Sequence, residues 1–535
     1  MDDANRGGYE SSSSSDGILM DAAAAAAGSN RGGYESSSSS DSGDWLGKAS
    51  PLRQQGFRPL HMSGLVLRPK NRNAKIAALQ EVHDVHSLSM CECEFVAGED
   101  LDSFMNFLEG PLPSLKIMYF ANCFFSALGG SLIHRSLRMR PRSNLKQVQL
   151  CGCQFEPTAA AHIIRALNDC CPCLRELTIT GYVVNAMAGG VTEDHISAAL
   201  KQLLPNKNTL RRLDFTARCG GVGGECDGGE EAGGYVLKNF YEVASSLSEN
   251  TSLKALEIGC RAMDDAFAVL LGNALVGNMV LIDLYISRCD FTLAGWHAFA
   301  SCLWTGCGLE ELRVCEDHQR DGSLAIGNAI AFSPSCRLKR FGAKGLTLEG
   351  WGSFLQSLRT PNASLEYLFM EDGIMDDNLM NVFADAMAHN TSLREFTFPD
   401  QDDEHHPIEL SVRGWEALLN VLCNKTNIHS IFASNHWLSE VDHPDVFVRD
   451  EDLDDAPESI WPLLELNSTI CKRAVARKKI LVYHFQNGGA NLKDLSGVGR
   501  GVWPHAIEWA ARDNDGLSVL YELFKRIVAT YKAAK

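Results

Sequence analysis

The stretch Asn250-Thr-Ser-Leu253-Lys-Ala-Leu256-Glu-Ile258-Gly-Cys-Arg-Ala-Met263 sets apolar residues at offsets 0, 3, 5 and 10 from Leu253. That spacing predicts a short strand, a corner and a hand-over to a helix. The residues that follow, Asp264 to Asn278, put Phe267, Leu270, Leu271, Ala274 and Leu275 on one helical face. The phrase then restarts as Asn278-Met-Val-Leu281-Ile-Asp-Leu284-Tyr-Ile286, with Cys289 and Phe291 beyond it. A unit that repeats in this way has to be recognised before anything else is read, because each copy is one supersecondary element that buries its apolar face only against its neighbours.

Working outward, the first apolar residue of each predicted strand gives the anchors Val85, Leu115, Leu145, Leu174, Leu210, Leu253, Leu281, Leu309, Leu338, Leu365, Leu393 and Ile428. Eight of the eleven spacings are 27 to 30 residues, and the three longer ones read as loop insertions. The clearest other copies are Leu115-Lys-Ile-Met118-Tyr-Phe120-Ala-Asn-Cys123 and Leu145-Lys-Gln-Val148-Gln-Leu150-Cys-Gly-Cys153. The expected fold is an α/β solenoid of about twelve repeats, with a parallel sheet on the concave side and helices on the convex side.

The core Leu-x-x-Leu-x-Leu-x-x-Cys/Asn in a unit of about 28 residues resembles the leucine-rich repeats of the ribonuclease-inhibitor type, over roughly residues 85 to 438. That class includes ribonuclease inhibitors, Ran GTPase-activating proteins and the ligand-sensing ends of NOD-like receptors. The resemblance implies a horseshoe and a binding role. It carries no functional residue across, because the matching positions are those that build the core.

The flanks divide the chain further. Residues 1–48 are low in complexity: Asn5 to Asp16 recurs letter for letter as Asn30 to Asp41, with an alanine run between. Serine, glycine and acid cannot bury enough surface to offset chain entropy, so a disordered tail is expected. Residues 49–84 are read as an N-terminal cap, with Leu60, Met62, Leu65 and Leu67 offering a strand. The array is assigned to 85–440 and an acidic linker to 441–458. Residues 459–535 form a helical C-terminal cap, which resembles the extension behind leucine-rich arrays in some unicellular algal proteins.

Charge and cysteine usage bound the function. Of the net −18, residues 1–48 hold −5 and residues 440–458 hold −8, which leaves the array close to neutral. An acidic chain gives no support for nucleic-acid binding. The most apolar window, Ala266 to Ile286, is a helix and strand of the array, so no membrane segment is expected. Eighteen cysteines, several at the offset-8 corner (Cys93, Cys123, Cys153, Cys289), read as buried free thiols. Reduced thiols fit a cytoplasmic home, with a nuclear one possible. Cys170, Cys171 and Cys173 invite a zinc reading, but neighbouring sequence offers no converging fourth ligand.

Other segments are weighed against the same standard. The loop 219–234 holds eight glycines but also four acids and no Lys-Ser/Thr ending, so it reads as a surface loop and not a phosphate cradle. Asp400, Asp402, Asp403, Glu404, His405 and His406 read as a solvated loop. Arg135, Arg138, Arg140 and Arg142 suit a helix C-terminus. Lys472, Arg473, Arg477, Lys478 and Lys479 resemble a nuclear-import cluster, yet Ile470, Ala474, Leu481 and Phe485 read as the buried side of the same helix.

Strand residues alternate, so offsets 2, 4 and 6 leave the concave face. In the seventh to tenth repeats these are Asp283, Tyr285, Ser287, Glu311, Arg313, Cys315, Arg340, Gly342, Lys344, Tyr367, Phe369 and Glu371. The third and fourth repeats show Gln147, Gln149, Cys151, Glu176, Thr178 and Thr180 instead. Aromatics with arginine are the makings of a binding hot spot. The expected partner site is therefore Asp283, Tyr285, Glu311, Arg313, Arg340, Lys344, Tyr367, Phe369 and Glu371. Two pairs, Glu311–Arg340 and Lys344–Glu371, are equally suited to neutralising one another as a cross-strand ladder. No catalytic motif, cofactor motif or metal set is present, so the expected function is a non-enzymatic protein-interaction scaffold. The alternative, implied by the resemblance and by the acidic stretch after the array, is a regulator of a small GTPase.

Overall fold

The computed structural model describes residues 60–63, 86–91, 94–95, 115–139, 144–184, 193–217, 240–260, 263–315, 322–360, 364–371, 375–398, 410–426, 428–442, 460–468 and 471–480, with Tyr483 and Lys525. The tail 1–48, the glycine loop 219–234, the loop 399–408 and the linker beyond 442 lie outside these residues. So does almost all of the chain after 480, including the segment likened to algal proteins.

Each repeat contributes a strand, in the chain order β1 (Leu60–Ser63), β2 (Ser87–Cys91), β3 (Glu94–Phe95), β4 (Ile117–Ala121), β5 (Phe124–Phe125), β6 (Gln147–Cys151), β7 (Gln154–Phe155), β8 (Glu176–Val184), β9 (Arg212–Ala217), β10 (Ala255–Gly259), β11 (Asp283–Ser287), β12 (Glu311–Cys315), β13 (Arg340–Lys344), β14 (Tyr367–Met370), β15 (Glu395–Thr397) and β16 (Glu440–Asp442). All but β3, β5 and β7 pair in sequence order into one parallel sheet that is open at β1 and β16. The predicted cap strand is thus the first strand of this sheet. The dyads β3, β5 and β7, with the end of β8, form a second strip beside it.

The register advances one whole repeat per strand. Leu256 faces Leu284, which faces Leu312, and the offsets 3 and 5 are buried while 2 and 4 face outward. Every anchor from Leu115 to Leu393 is buried. The last one needs correction. Ile428 opens a short helix, Ile428–Ala433, and the final strand is anchored ten residues later by buried Leu438. The sequence around Ile428 offered an apolar residue at a plausible spacing, but the strand pattern belongs to Leu438 and Val441.

The corner after each strand has a consistent chemistry. Asn122, Gly152, Gly181, Arg288 and Gly345, all at offset 7, have φ between 52° and 86°. At Gly152 a Cβ would also lie 2.4 Å from Asn122 Oδ1, so glycine is required there on two counts. One residue on, Cys123 Sγ donates to the Met90 and Ala121 carbonyls at 3.4 Å, and Cys153 Sγ to the Phe120 carbonyl at 3.5 Å. The thiol is small enough to sit beneath the turn and supplies a weak donor to carbonyls that water cannot reach.

On the convex side, helices such as Asp265–Leu275, Leu293–Thr305, Leu348–Ser357 and Asp377–Met387 start at capping side chains, for example Asp264, Thr292, Thr347 and Asp376. Neighbouring repeats also cap one another. Asp265 Oδ1 accepts from the Thr292 amide at 2.7 Å, and Asp377 Oδ1 from the Ser411 amide at 2.9 Å. At the other helix end, Asn278 Nδ2 donates to Leu247 O at 2.7 Å while its Oδ1 accepts from Val280 and Leu281. Asn250 and Asn390 make the same set of contacts. One amide thus quiets an orphan carbonyl of the preceding helix and fixes the entry to the next strand.

Candidate protein-binding face

The concave surface is built by the outward rows of the parallel sheet. At offset 2 the row runs Asp283, Glu311, Arg340, Tyr367, and at offset 4 it runs Glu257, Tyr285, Arg313, Gly342, Phe369. The expected residues therefore do share one face on adjacent strands. Ser287 and Gly342 are buried, Arg340 and Lys344 are exposed, and the remaining side chains of the set are half-buried.

Charge is organised within that face. Arg313 Nε donates to Glu311 Oε1 at 2.9 Å, and Arg340 Nη1 approaches Glu311 Oε2 at 3.4 Å, so Glu311 serves two guanidinium groups. Arg340 also lies over the Tyr367 ring, 4.8 Å from its centroid. The Glu311–Arg340 rung expected from the sequence is present. Glu371 is placed elsewhere: its carboxylate, the Arg313 stem and Phe369 Cβ all converge on Gly342, 3.4 to 3.6 Å from where a Cβ would stand. At buried Gly342 a cation, an anion and an aromatic ring thus come together.

The sequence reading passed over the strands immediately upstream. Arg212 Nε holds Asp214 Oδ1 at 3.0 Å and Arg212 Nη2 reaches Glu257 Oε2 at 3.7 Å, while Thr178 Oγ1 donates to Asp214 Oδ2. Burial, with Asp214 close by, pushes the Glu257 carboxyl up to about 7. Burial and the neighbouring Glu311 push Asp283 up to about 6. Burial also raises the Tyr285 phenol. Four carboxylates on consecutive strands, β9 to β12, thus share three arginines. Their offsets were available in the sequence, but long insertions lie on both sides of the strand that carries Arg212 and Asp214, one of them separating it from Glu257.

Elsewhere on the array, Val276, Trp304 and Phe332 occupy equivalent positions at the ends of three consecutive convex helices and are 44 to 59% exposed. Among the described residues no group of three or more His, Cys, Asp or Glu is placed to hold a metal ion. Cys170, Cys171 and Cys173 differ in burial, and the fifteen described cysteines are free. No helix among the described residues is long and apolar enough to cross a membrane.

Mouse ribonuclease inhibitor is 22% identical to this chain over 250 residues, which are 45% of the chain and 53% of the inhibitor. In fold the chain is a leucine-rich repeat solenoid, and in sequence it is similar to the ribonuclease-inhibitor type. It spans about half the length of that relative, and no family model matches it. Two solved structures are also similar to this repeat protein. Rad7, from the yeast Rad7 and Elc1 complex, is 14% identical over 61% of this chain and 79% of its own, with a TM-score of 0.32. TLR13, from a complex with ssRNA13, is 12% identical over 69% of this chain and 50% of its own, with a TM-score of 0.33.

Proposed function

We propose that this repeat protein is a non-enzymatic interaction scaffold, in a reducing cytoplasmic or nuclear setting, whose concave face over β11 to β14 binds a partner protein. The observation that supports it is the exposed Arg340 on Tyr367, beside the cluster of Arg313, Phe369 and Glu371 around Gly342. An arginine already stacked on a ring, next to Arg313, Phe369 and Glu371, offers a rigid anchor at little entropic cost. Asp283, Tyr285 and Glu311 border it. Lys344 lies at the rim and adds steering charge.

The test is to purify the partner on the wild-type chain and then measure its affinity for variants. Tyr367→Ala and Arg340→Ala should each weaken binding about thirtyfold, as the loss of about 2 kcal/mol at a hot spot requires. Gly342→Leu should do the same by pushing Arg313, Phe369 and Glu371 apart, since they already stand 3.4 to 3.6 Å from where its Cβ would lie. Gln149→Ala should leave binding unchanged. Normal binding in all the β13 and β14 variants, with loss in Trp304→Ala or Phe332→Ala, would move the interface to the convex edge. Accelerated hydrolysis in a panel of small GTPases would instead support the regulator.

A further inference from the structure

The asparagine contact that recurs along the array has a substitute at its C-terminal end. Asn250, Asn278, Asn390 and Asn435 each reach back to a carbonyl at the end of the helix one repeat earlier, namely Leu204, Leu247, Leu358 and Met387. The next such carbonyl is Leu422 O, at the end of the helix Val412–Leu422. Lys479 takes it: Nζ donates to Leu422 O at 2.6 Å and to Asn435 O at 3.0 Å. Among the described residues other side chains stand in for the asparagine too: Ser333 Oγ donates to Leu303 O at 3.1 Å, and Lys207 Nζ donates to Cys171 O at 3.1 Å behind the helix Pro157–Cys170.

Lys479 is fully buried, on the helix Lys472–Lys479. Val475, Ala476 and Ile480 are buried with it, and Ile460, Leu463 and Leu464 pack from the helix Ile460–Asn467. Two carbonyl acceptors match the two N–H bonds of a free amine, and an ammonium would carry a third donor and a charge. Among the described residues no carboxylate pairs with that charge. The groups acting on it are the Cys423 thiol and the Lys472 ammonium. Burial keeps His436 neutral and Lys425 stacks on Tyr483, while Arg413, Glu416, Glu465, Arg473 and Lys478 on the packed helices are exposed.

We propose that the helix Lys472–Lys479 is a releasable latch that closes the open end of the array by docking Lys479 as the free amine, so that its hold tightens as pH rises above neutral. Burial brings this amine down to about 7 from an ordinary 10.5. Above 10.5 the amine is free whether the helix is docked or released. As pH falls from there to 7, only the released form takes up a proton, and docking weakens by up to about tenfold per pH unit. Below 7 both forms are protonated and the dependence ends. At neutral pH the latch is therefore near its weakest. Release would leave the Leu422 and Asn435 carbonyls without the amine and expose Val475, Ala476 and Ile480.

The experiment uses the full chain labelled with 5-fluorotryptophan. Trp437 reports on the helix because Lys472 Nζ lies 5.4 Å from its ring centroid. In mild urea the 19F signals of docked and released forms give their ratio. That ratio should rise steeply from pH 7 to 10 in the wild type and far less in Lys479→Met, where only half-buried Lys472, also lowered by burial, still changes charge on this helix's docked face. A flat wild-type profile, or an equal slope in Lys479→Met, would overturn the proposal. Should Lys479→Met fail to fold, direct NMR titration of the wild-type Lys479 Nζ decides: a midpoint near 7 supports the latch, and one near 10.5 rejects it.

Discussion

The early and late repeats solve the same packing problem with different chemistry. Beside β3, β5 and β7 the corner is lined by Phe95, Phe125 and Phe155, stacked with centroids 4.6 and 5.2 Å apart, above cysteines that close the turn. The concave face in front of them is neutral, with Tyr119, Gln149 and Cys151. In the later repeats the same corner offset holds Met263, Phe291 and Met375, asparagines secure the strand entries, and the concave face is crowded with charge. The difference teaches that the inward offsets answer to a narrow volume requirement. The outward ones carry no such requirement and are free to be set by a ligand.

The hardest blow to this contrast is struck in the early stack. Phe125 is fully buried between Phe95 and Phe155, with its edge toward Phe120 at 5.4 Å. Phe125→Ala should cost about 4 kcal/mol, combining lost transfer energy with a cavity that neighbouring repeats cannot fill. Met375→Ala, at the same offset in a late repeat, should cost about 3 kcal/mol because no ring stack is lost with it. Urea unfolding, resolved by hydrogen exchange in each half, measures both. Equal losses would mean that the stack adds nothing beyond burial.

A smaller effect is expected at the late asparagines. Asn390→Ala removes one donor from Leu358 O and one acceptor from the Ser392 and Leu393 amides, all within a buried setting. About 3 kcal/mol follows from leaving such groups unpaired. Faster exchange at the Leu393 amide should accompany it. Cys171→Ala, at the equivalent place in an early repeat, should cost nearer 1 kcal/mol, since the thiol is replaced by a smaller apolar group. If the two variants melt together, the asparagine contact is not what holds the late strands.

Most of the fold was legible in the chain because the core positions repeat. Leu253, Leu256 and Ile258 declare their burial through spacing alone, and β8 through β15 fall two residues after their anchors. Ile428 misled because an apolar residue at a tolerable distance looks the same in a helix as in a strand. The site was legible only in part. Alternation placed Arg340, Tyr367 and Phe369 on one face, but no periodicity reveals that Glu371 turns toward Gly342 or that Arg212 ties Asp214 to Glu257. Those contacts depend on side-chain rotamers across strands some 30 to 40 residues apart in sequence. Asn250 and Asn278 were plain to see at the head of two quoted phrases. Their task, reaching back to the previous helix, is a property of the stacked array and of no single repeat.

The subtlest difference between the two halves is in how they respond to acid. Glu257 titrates at about 7 in the folded chain, against an ordinary 4.5. Its protonated form is favoured by the fold, so the associated stability is fully present below pH 4.5 and disappears as pH rises through 7. Asp283, raised to about 6 from 3.8, adds to the same trend at slightly lower pH. The wild type should therefore lose stability between pH 4.5 and 7. Glu257→Gln keeps the shape and hydrogen-bonding capacity without the charge. It should lack most of that loss and stand about 2 kcal/mol above the wild type at pH 8. Gln149→Ala, at the equivalent offset of β6, should leave the slope as it is, because no carboxylate is lost with it. Unfolding curves at half-unit pH steps would separate the two. An unchanged slope in Glu257→Gln would show that this carboxylate is ionised throughout, and that Arg212 neutralises it across 3.7 Å more fully than its burial and its acidic neighbours oppose it.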